Sequence, residues 1–315
     1  MARFLGARFV RAIFVFLLVS LGTLFLIDLT PGDPAVSIAG ETAGPDVLAA
    51  VREQYGFDRP LLVRWVDWMG SVFSGNFGQS FTSRMPVMSL LADRLPVTVE
   101  LTILAVVITL ALVIPLALYA GYHQGSWLDR FVNGLSAVLI SIPSFVLALV
   151  LILVFALALR VLPVSGWVPL AEDPIGNLRS AILPALALAL AETAVLLPVL
   201  RADVVATLEQ DYITLARSKG VSSARILFRH ALRPSSTSLV TLMGLSLARL
   251  FGGAVIVETA FSLPGIGDLL ITSIRSKDLI LTQGLVMFIA VVYLVANLVI
   301  DILYTKLDPR VSVSS

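Results

Sequence analysis

Apolar residues in this chain gather into long blocks separated by short polar stretches. A bilayer core of about 30 Å needs roughly 20 apolar residues in helical form. Six stretches reach that length with few charges: 9–29, 97–120, 131–159, 180–200, 236–257 and 279–300. The second carries Glu100, the fourth Glu192 and the fifth Arg249. Barrel strands would be about 10 residues long and alternating, so the spacing predicts helices. The first stretch follows Arg3, Arg8 and Arg11, as a secretory leader would. Its apolar run, 12–27, is slightly longer than such leaders carry, and it is followed by Thr30-Pro31-Gly32-Asp33-Pro34 rather than a convincing small-x-small cleavage site, so it reads as a retained helix.

The segments between the blocks have their own patterns. Residues 30–96 form a polar insert with a short helix over Val47–Tyr55 ending at Gly56. Within it, Trp65 and Trp68 with Leu61, Leu62, Val66 and Met69 predict an amphipathic helix on the membrane surface. This insert either caps the helix ends or docks an outside partner. Turn residues dominate 160–179, and 259–278 holds the Pro264-Gly265 turn before an amphipathic piece, Asp268–Ile274. Pro143, Pro184 and Pro198 are candidate kinks in the third and fourth spans.

Residues 201–235 are the most informative polar stretch. Leu208, Tyr212, Leu215 and Ala216 share one face of a helix that would run to Lys219. Gly220 is placed to close that helix, with Arg217 and Lys219 in its last turn. Ser222 or Ser223 can cap a second short helix bearing Ile226, Leu227 and His230 on one side, and Pro234 is a candidate terminator of it. Apolar residues on short helices would otherwise face water, which suggests a platform for a partner. Contact with anionic lipid is the plainer alternative. Nucleic acid is a poor fit, because the segment carries six basic and three acidic residues and both of its ends are tied to membrane spans.

Composition agrees and narrows the classes. The chain has 315 residues, 58% of them hydrophobic and only 14% charged, with a mean hydropathy of +0.96. A soluble domain carries about 25% charge, so this composition excludes one. The net charge of +1 excludes a polyanion binder driven by bulk charge. There are no cysteines and only two histidines, His123 and His230, so no metal-ligand spacing is present. A serine hydrolase would need a base within a span, and both histidines fall between spans. None of the three lysines (Lys219, Lys277, Lys306) stands in a Gly-x-x-x-x-Gly-Lys-Ser/Thr phosphate cradle. Neither an internal repeat nor a chain of intramembrane acids supports a secondary transporter. The segments grouped with the N-terminus carry twelve Lys/Arg, against four in the two short opposite loops. That places both termini in the cytoplasm of a multi-pass cytoplasmic-membrane protein.

Within the spans, Glu192 and Arg249 would each be costly unless paired or wet. They either pair with each other or with a sister chain, or they line a route for a zwitterionic solute. Gly252 and Gly253 suit close helix contact, and Glu258 would anchor that helix near its end.

Several motifs in fixed order carry a family resemblance. Leu215-Ala216 followed by Gly220 is similar to the cytoplasmic EAA loop of ABC importer permeases, and Arg229-His230-Ala231-Leu232-Arg233 matches the RHALR run of the dipeptide/oligopeptide subfamily. Residues 252–267, GGAVIVETAFSLPGIG, resemble that subfamily's GGAVVVETVFSWPGLG. Thr30-Pro31-Gly32-Asp33-Pro34, Asp58-Arg59-Pro60-Leu61, Gly75-Asn76-Phe77-Gly78-Gln79-Ser80 and Leu162-Pro163-Val164-Ser165-Gly166-Trp167 resemble segments of its first, B-type permease. Thr214 stands at the EAA glutamate position, and Ser238 where a proline is usual.

The resemblance implies an all-α type I importer permease of six transmembrane helices, with an insert after helix 1. Its core would cover residues 94–304, with 305–315 as a cytoplasmic tail. It implies peptide import, with a metal chelate or other small solute as the alternative. The implied partners are a second homologous permease chain, two cytoplasmic ATPases, an extracytoplasmic binding protein and membrane lipid. No cofactor is implied on this chain, because ATP and Mg would sit on the ATPases. Asp211, Tyr212, Leu215, Ala216, Arg217, Gly220, Arg225 and Ile226 would form the ATPase-coupling surface. There Tyr212, Leu215 and Ile226 would fill a groove, while Asp211, Arg217 and Arg225 would pair at its rim.

Overall fold

A computed structural model describes residues 2–29, 33–40 and 42–307. The Thr30-Pro31-Gly32 motif and residues 308–315 of the tail lie outside them. Among the described residues the secondary structure is helical, apart from an isolated bridge between Gln79 and Pro86. In chain order the helices are α1 (Ala2–Asp28), α2 (Pro34–Ala39), α3 (Pro45–Tyr55), α4 (Leu61–Phe73), α5 (Val87–Tyr122), α6 (Trp127–Ser141) and α7 (Ser144–Leu151). There follow α8 (Pro174–Leu208), α9 (Asp211–Ser218), α10 (Ser223–Arg225), α11 (Leu232–Ala260), α12 (Ile266–Arg275) and α13 (Leu279–Leu307).

The six apolar stretches lie largely on helices, the third interrupted at Ile142-Pro143. α5, α8 and residues 279–299 of α13 are each long and apolar enough to cross a membrane. α1 contributes a shorter apolar helix, Val10–Phe25. The remaining two spans are bent pairs. The third was expected to be one helix from 131 to 159 with a candidate kink at Pro143. Instead α6 and the helix from Ser144 to Ala158 meet at 107°. The cause is local: Pro143 has no N–H to donate and drives Ile142 into an extended conformation (φ −101°, ψ 121°). Beyond Leu151 that arm widens into a π-helical turn, Ile152–Ala158. In the fifth span, Ser223–Leu247 and Arg249–Ala260 meet at 49°. α8 continues unbroken through both Pro184 and Pro198.

By its contacts the chain divides into two compact units. One comprises residues 1–98 with 264–298. Its small helices start where the sequence permits. Asp33 caps α2 by accepting from the Ala35 N–H at 2.9 Å, with Pro34 in the first turn, where no N–H is needed. The Arg52 guanidinium, and then the Ala35 N–H, hold the Asp33 carboxyl below the usual carboxylate range. α3 ends at Gly56 as the spacing predicts. Trp65 on α4 donates its indole N–H to Ser20 Oγ on α1 at 3.0 Å. An apolar core joins Val87 and Leu91 to Ile266, Leu269, Leu281 and Leu285.

The second unit comprises residues 99–263 with 299–307. α8 is its centre and packs against α6, α7 and α11. Leu196, Leu200, Val204 and Leu208 on α8 meet Val113 and Ala117 of α5, Val132 of α6, and Leu239 and Met243 of α11. This core also takes in residues of the polar stretch after α8, and so fixes where that stretch sits.

Candidate functional site

The stretch 201–235 does not form the continuous helix to Lys219 that its periodicity predicts. α8 stops at Leu208, and Gln210 takes an extended conformation (φ −73°, ψ 146°) before α9 begins. The break turns α9, so that the expected face of Leu208, Tyr212 and Leu215 is divided. Leu208 stays in the core, Ile213 becomes fully buried beside it, and Tyr212 and Leu215 are 45% and 55% exposed.

A Schellman motif closes α9. Val221 N–H donates to Ala216 O at 3.1 Å and Gly220 N–H to Arg217 O at 3.0 Å. Gly220 sits at φ +76°, which makes it the residue just past the cap, with Lys219 as the cap itself. Ser222 then stands at the start of α10 without a side-chain capping bond.

Pro234 does not terminate the second helix. It lies in the first turn of α11, preceded by a π-helical turn over Ile226–Ala231. The physical reason lies in the ring. A proline at 234 cannot donate to the His230 carbonyl and would collide with it in a regular helix. The wider turn makes room, and Tyr212 Oη donates to that carbonyl at 3.3 Å. One proline thereby links α9 to the entry of α11.

Ile226 requires a correction. It was expected to enter a partner's groove, yet it is 2% exposed and sits in the same core as Ile213. Both isoleucines hold the platform to the helices behind it. Phe228, which the sequence reading passed over, is 63% exposed and joins Tyr212 and Leu215 as accessible apolar area. Asp211, Arg217 and Arg225 are exposed, and Ala216 is half-buried. The Arg217 guanidinium also lies 6.0 Å from the Tyr122 ring centroid, a cation–π contact.

Four further ties fix the platform. Tyr122 Oη and Ser223 Oγ are 2.9 Å apart, and Thr207 Oγ1 and Ser235 Oγ 3.0 Å apart. At Gly121 a Cβ would come within 2.8 Å of the Val204 side chain, so α5 meets α8 there at backbone distance. The fourth tie is ionic. Arg201 on α8 makes a two-pronged bond to Asp129 in the first turn of α6, with Nη2 to Oδ2 at 2.8 Å. Gly125 N–H and Asn133 Nδ2 each donate to the same carboxylate at 2.9 Å. Sequence reasoning missed this pair, since its members lie 72 positions apart. The local signal was Ser126 three residues before Asp129, a capping pattern whose Ser126 Oγ accepts from Asp129 N–H at 3.2 Å.

The intramembrane charges do meet. Arg249 Nη2 donates to Glu192 Oε2 at 3.1 Å and to Ser246 Oγ at 2.7 Å. The Glu192 side chain is 9% exposed and that of Arg249 51%, so the guanidinium keeps an open side. Of the two glycines expected to give close helix contact, Gly253 does approach a neighbour, since a Cβ there would lie 3.4 Å from Leu188. Gly252 is exposed, with nothing within 4 Å of such an atom. Glu258 is fully buried, and its carbonyl accepts from Leu263 N–H at 2.8 Å where α11 ends.

The chain as a whole has clear relatives. Residues 113–313 match the family described as binding-protein-dependent transport system inner membrane component, and residues 1–102 match that family's N-terminal component. A chain from Brucella abortus described as a peptide transport system permease protein is 40% identical over 304 residues, which covers 96% of this chain and 97% of the relative. The dipeptide transport system permease protein of Lactococcus lactis is 35% identical, covering 94% of each chain. The glutathione transport system permease protein of Salmonella typhimurium is 33% identical, covering 99% of each.

Proposed function

The chain belongs to the binding-protein-dependent transport system inner membrane components, and we propose that it is the permease subunit of an ATP-driven importer of short peptides. The observation that carries the substrate class is end-to-end similarity to permeases named for peptides, a dipeptide and glutathione, with at least 94% of each chain covered. The chain is a multi-pass membrane protein and a transport component. Both termini face the cytoplasm in this reading, supported by the excess of Lys/Arg on that side.

One of two ATPase subunits docks on α9 and α10, a second homologous permease completes the pathway, and a binding protein delivers the peptide. ATP and Mg act on the ATPases. Tyr212, Leu215 and Phe228 supply the apolar contact, and Asp211 and Arg225 the charged rim. Ile213 and Ile226 transmit displacement, because a force on α9 or α10 reaches α8 and α11 through packed side chains rather than through a loose loop. The helices then move as rigid bodies between two access states.

The test is uptake by the assembled transporter in liposomes containing ATP. Labelled di- and tripeptides should accumulate only when ATPases and binding protein are present. Accumulation of a metal chelate in place of peptides would replace the substrate class. Uptake by this chain without ATPases would overturn the importer reading itself.

A further inference from the structure

A turn of four residues, 123–126, joins α5 to α6. Its shape is fixed from within. Gly125 takes φ +73°, and Ser126 N–H donates to His123 O at 3.2 Å. Ser126 Oγ accepts from Asp129 N–H, and Gly125 N–H donates to Asp129 Oδ2 at 2.9 Å. The turn therefore folds back onto the start of α6 and moves with it.

Other elements hold this turn at both ends. Before it, Tyr122 Oη lies 2.9 Å from Ser223 Oγ at the start of α10, and the Arg217 guanidinium of α9 lies 6.0 Å from the same ring. After it, Asp129 takes two N–H groups from Arg201, which stands on α8 about two turns before that helix ends at Leu208. A Cβ on Gly121 would lie 2.8 Å from the Val204 side chain and 3.5 Å from Arg201 O, so α5 touches α8 at the same level.

The Asp129 carboxylate is held in one geometry. The residue is 4% exposed, and each of its oxygens accepts twice. Oδ1 accepts from Arg201 Nε and Asn133 Nδ2, and Oδ2 from Arg201 Nη2 and Gly125 N–H. A guanidinium forked onto a carboxylate resists rotation as well as separation, whereas an ammonium pivots on a point. Buried ion pairs are weak sources of net stability, and orientation is the property that this fork supplies. The far end of α6 gives that orientation a use. There the chain bends by 107° after Ser141, where Pro143 interrupts the helical hydrogen bonds. A helix bent at one end stays in step with its neighbour when its other end is clamped, and the fork clamps α6 at its first turn.

We propose that the 123–126 turn is a second coupling element beside the α9–α10 platform. Tyr122 takes up displacement from α9 and α10. Asp129 and Arg201 are positioning residues that make α6 move with α8. The proposal rests on the importer reading, because the displacement comes from the ATPases.

The experiment uses the assembled transporter in liposomes and reads peptides imported per ATP hydrolysed. Arg201→Lys keeps the charge and loses the fork, and Tyr122→Phe removes one exposed hydroxyl. Both should assemble with the ATPases. The ratio should fall by about fivefold or more for Arg201→Lys, as for a coupled pair, and by about twofold for Tyr122→Phe, as for one hydrogen bond. The double variant should fare no worse than Arg201→Lys alone, since both changes act on one path. The chain has no cysteine, so Ser141→Cys and Glu209→Cys, both at exposed positions, accept one spin label each. Their separation should be the same in the ATP-free and vanadate-trapped assemblies, and should differ between those two states once Arg201→Lys is added. A lower thermal midpoint with a wild-type ratio would reduce the fork to packing and overturn the proposal. A wild-type ratio for Tyr122→Phe, or a label separation that changes between states without Arg201→Lys, would overturn it too. These last two decide even where Arg201→Lys fails to assemble. A wild-type assembly that imports nothing with ATP would sink the importer reading and this proposal with it, whereas normal import with indifferent variants sinks the proposal alone.

Discussion

At the scale of single residues, Gly220 and Pro234 shape the platform by what they lack. Gly220 adopts φ +76°, where a Cβ costs about 1–2 kcal/mol. No neighbouring atom lies within 4 Å of such a Cβ, so the penalty comes from the backbone alone. Gly220→Ala should lower coupling modestly, and Gly220→Val, branched at Cβ, should lower it severely. Both variants should remain in the membrane and retain ATPase binding. The readout is peptides imported per ATP hydrolysed, and an unchanged ratio for the valine variant would remove Gly220 from the transmission path. Pro234 acts through its missing N–H. The carbonyl that it cannot serve is taken by Tyr212, a link between α9 and α11 that no count of apolar residues would reveal.

At the scale of elements, the apolar helices were legible because length and lack of charge mark a candidate membrane helix; among the described residues three of the six expected spans are long and apolar enough to cross a membrane, two more are bent pairs, and the first is shorter. Their shapes were not. Pro143 was a candidate kink, but a mild kink and a 107° bend have the same signature in sequence. The platform was half legible. Its glycine closure and its exposed Tyr212 and Leu215 follow from helical spacing. The roles of Ile213 and Ile226 do not, because the break at Gln210 shifts the helical phase and the core that receives them is built from distant residues. The Asp129–Arg201 pair was hidden for the same reason. Ile213→Ala should therefore cost about 2–5 kcal/mol, seen as a lower thermal midpoint in detergent. Leu215→Ala removes exposed area from the same short helix and should leave that midpoint alone while weakening ATPase association. If the two variants behave alike, the division of α9 into an anchored face and a docking face is wrong.

At the scale of the whole molecule, sparse charge becomes a question of the membrane field. A single charge carried across a potential of 100 mV exchanges about 2.3 kcal/mol with that field. Glu192 and Arg249 lie in spans, but their 3.1 Å bond joins opposite charges into one neutral body. When α8 and α11 move together, the pair does almost no electrical work. Turnover of the wild-type importer should then be indifferent to voltage as far as this pair is concerned. Glu192→Gln leaves the arginine as a lone mobile charge, and uptake into liposomes poised at different potassium diffusion potentials should become voltage dependent. An ion pair that looks like a packing device is, on this view, what insulates an ATP-driven machine from the electrical state of the cell it feeds.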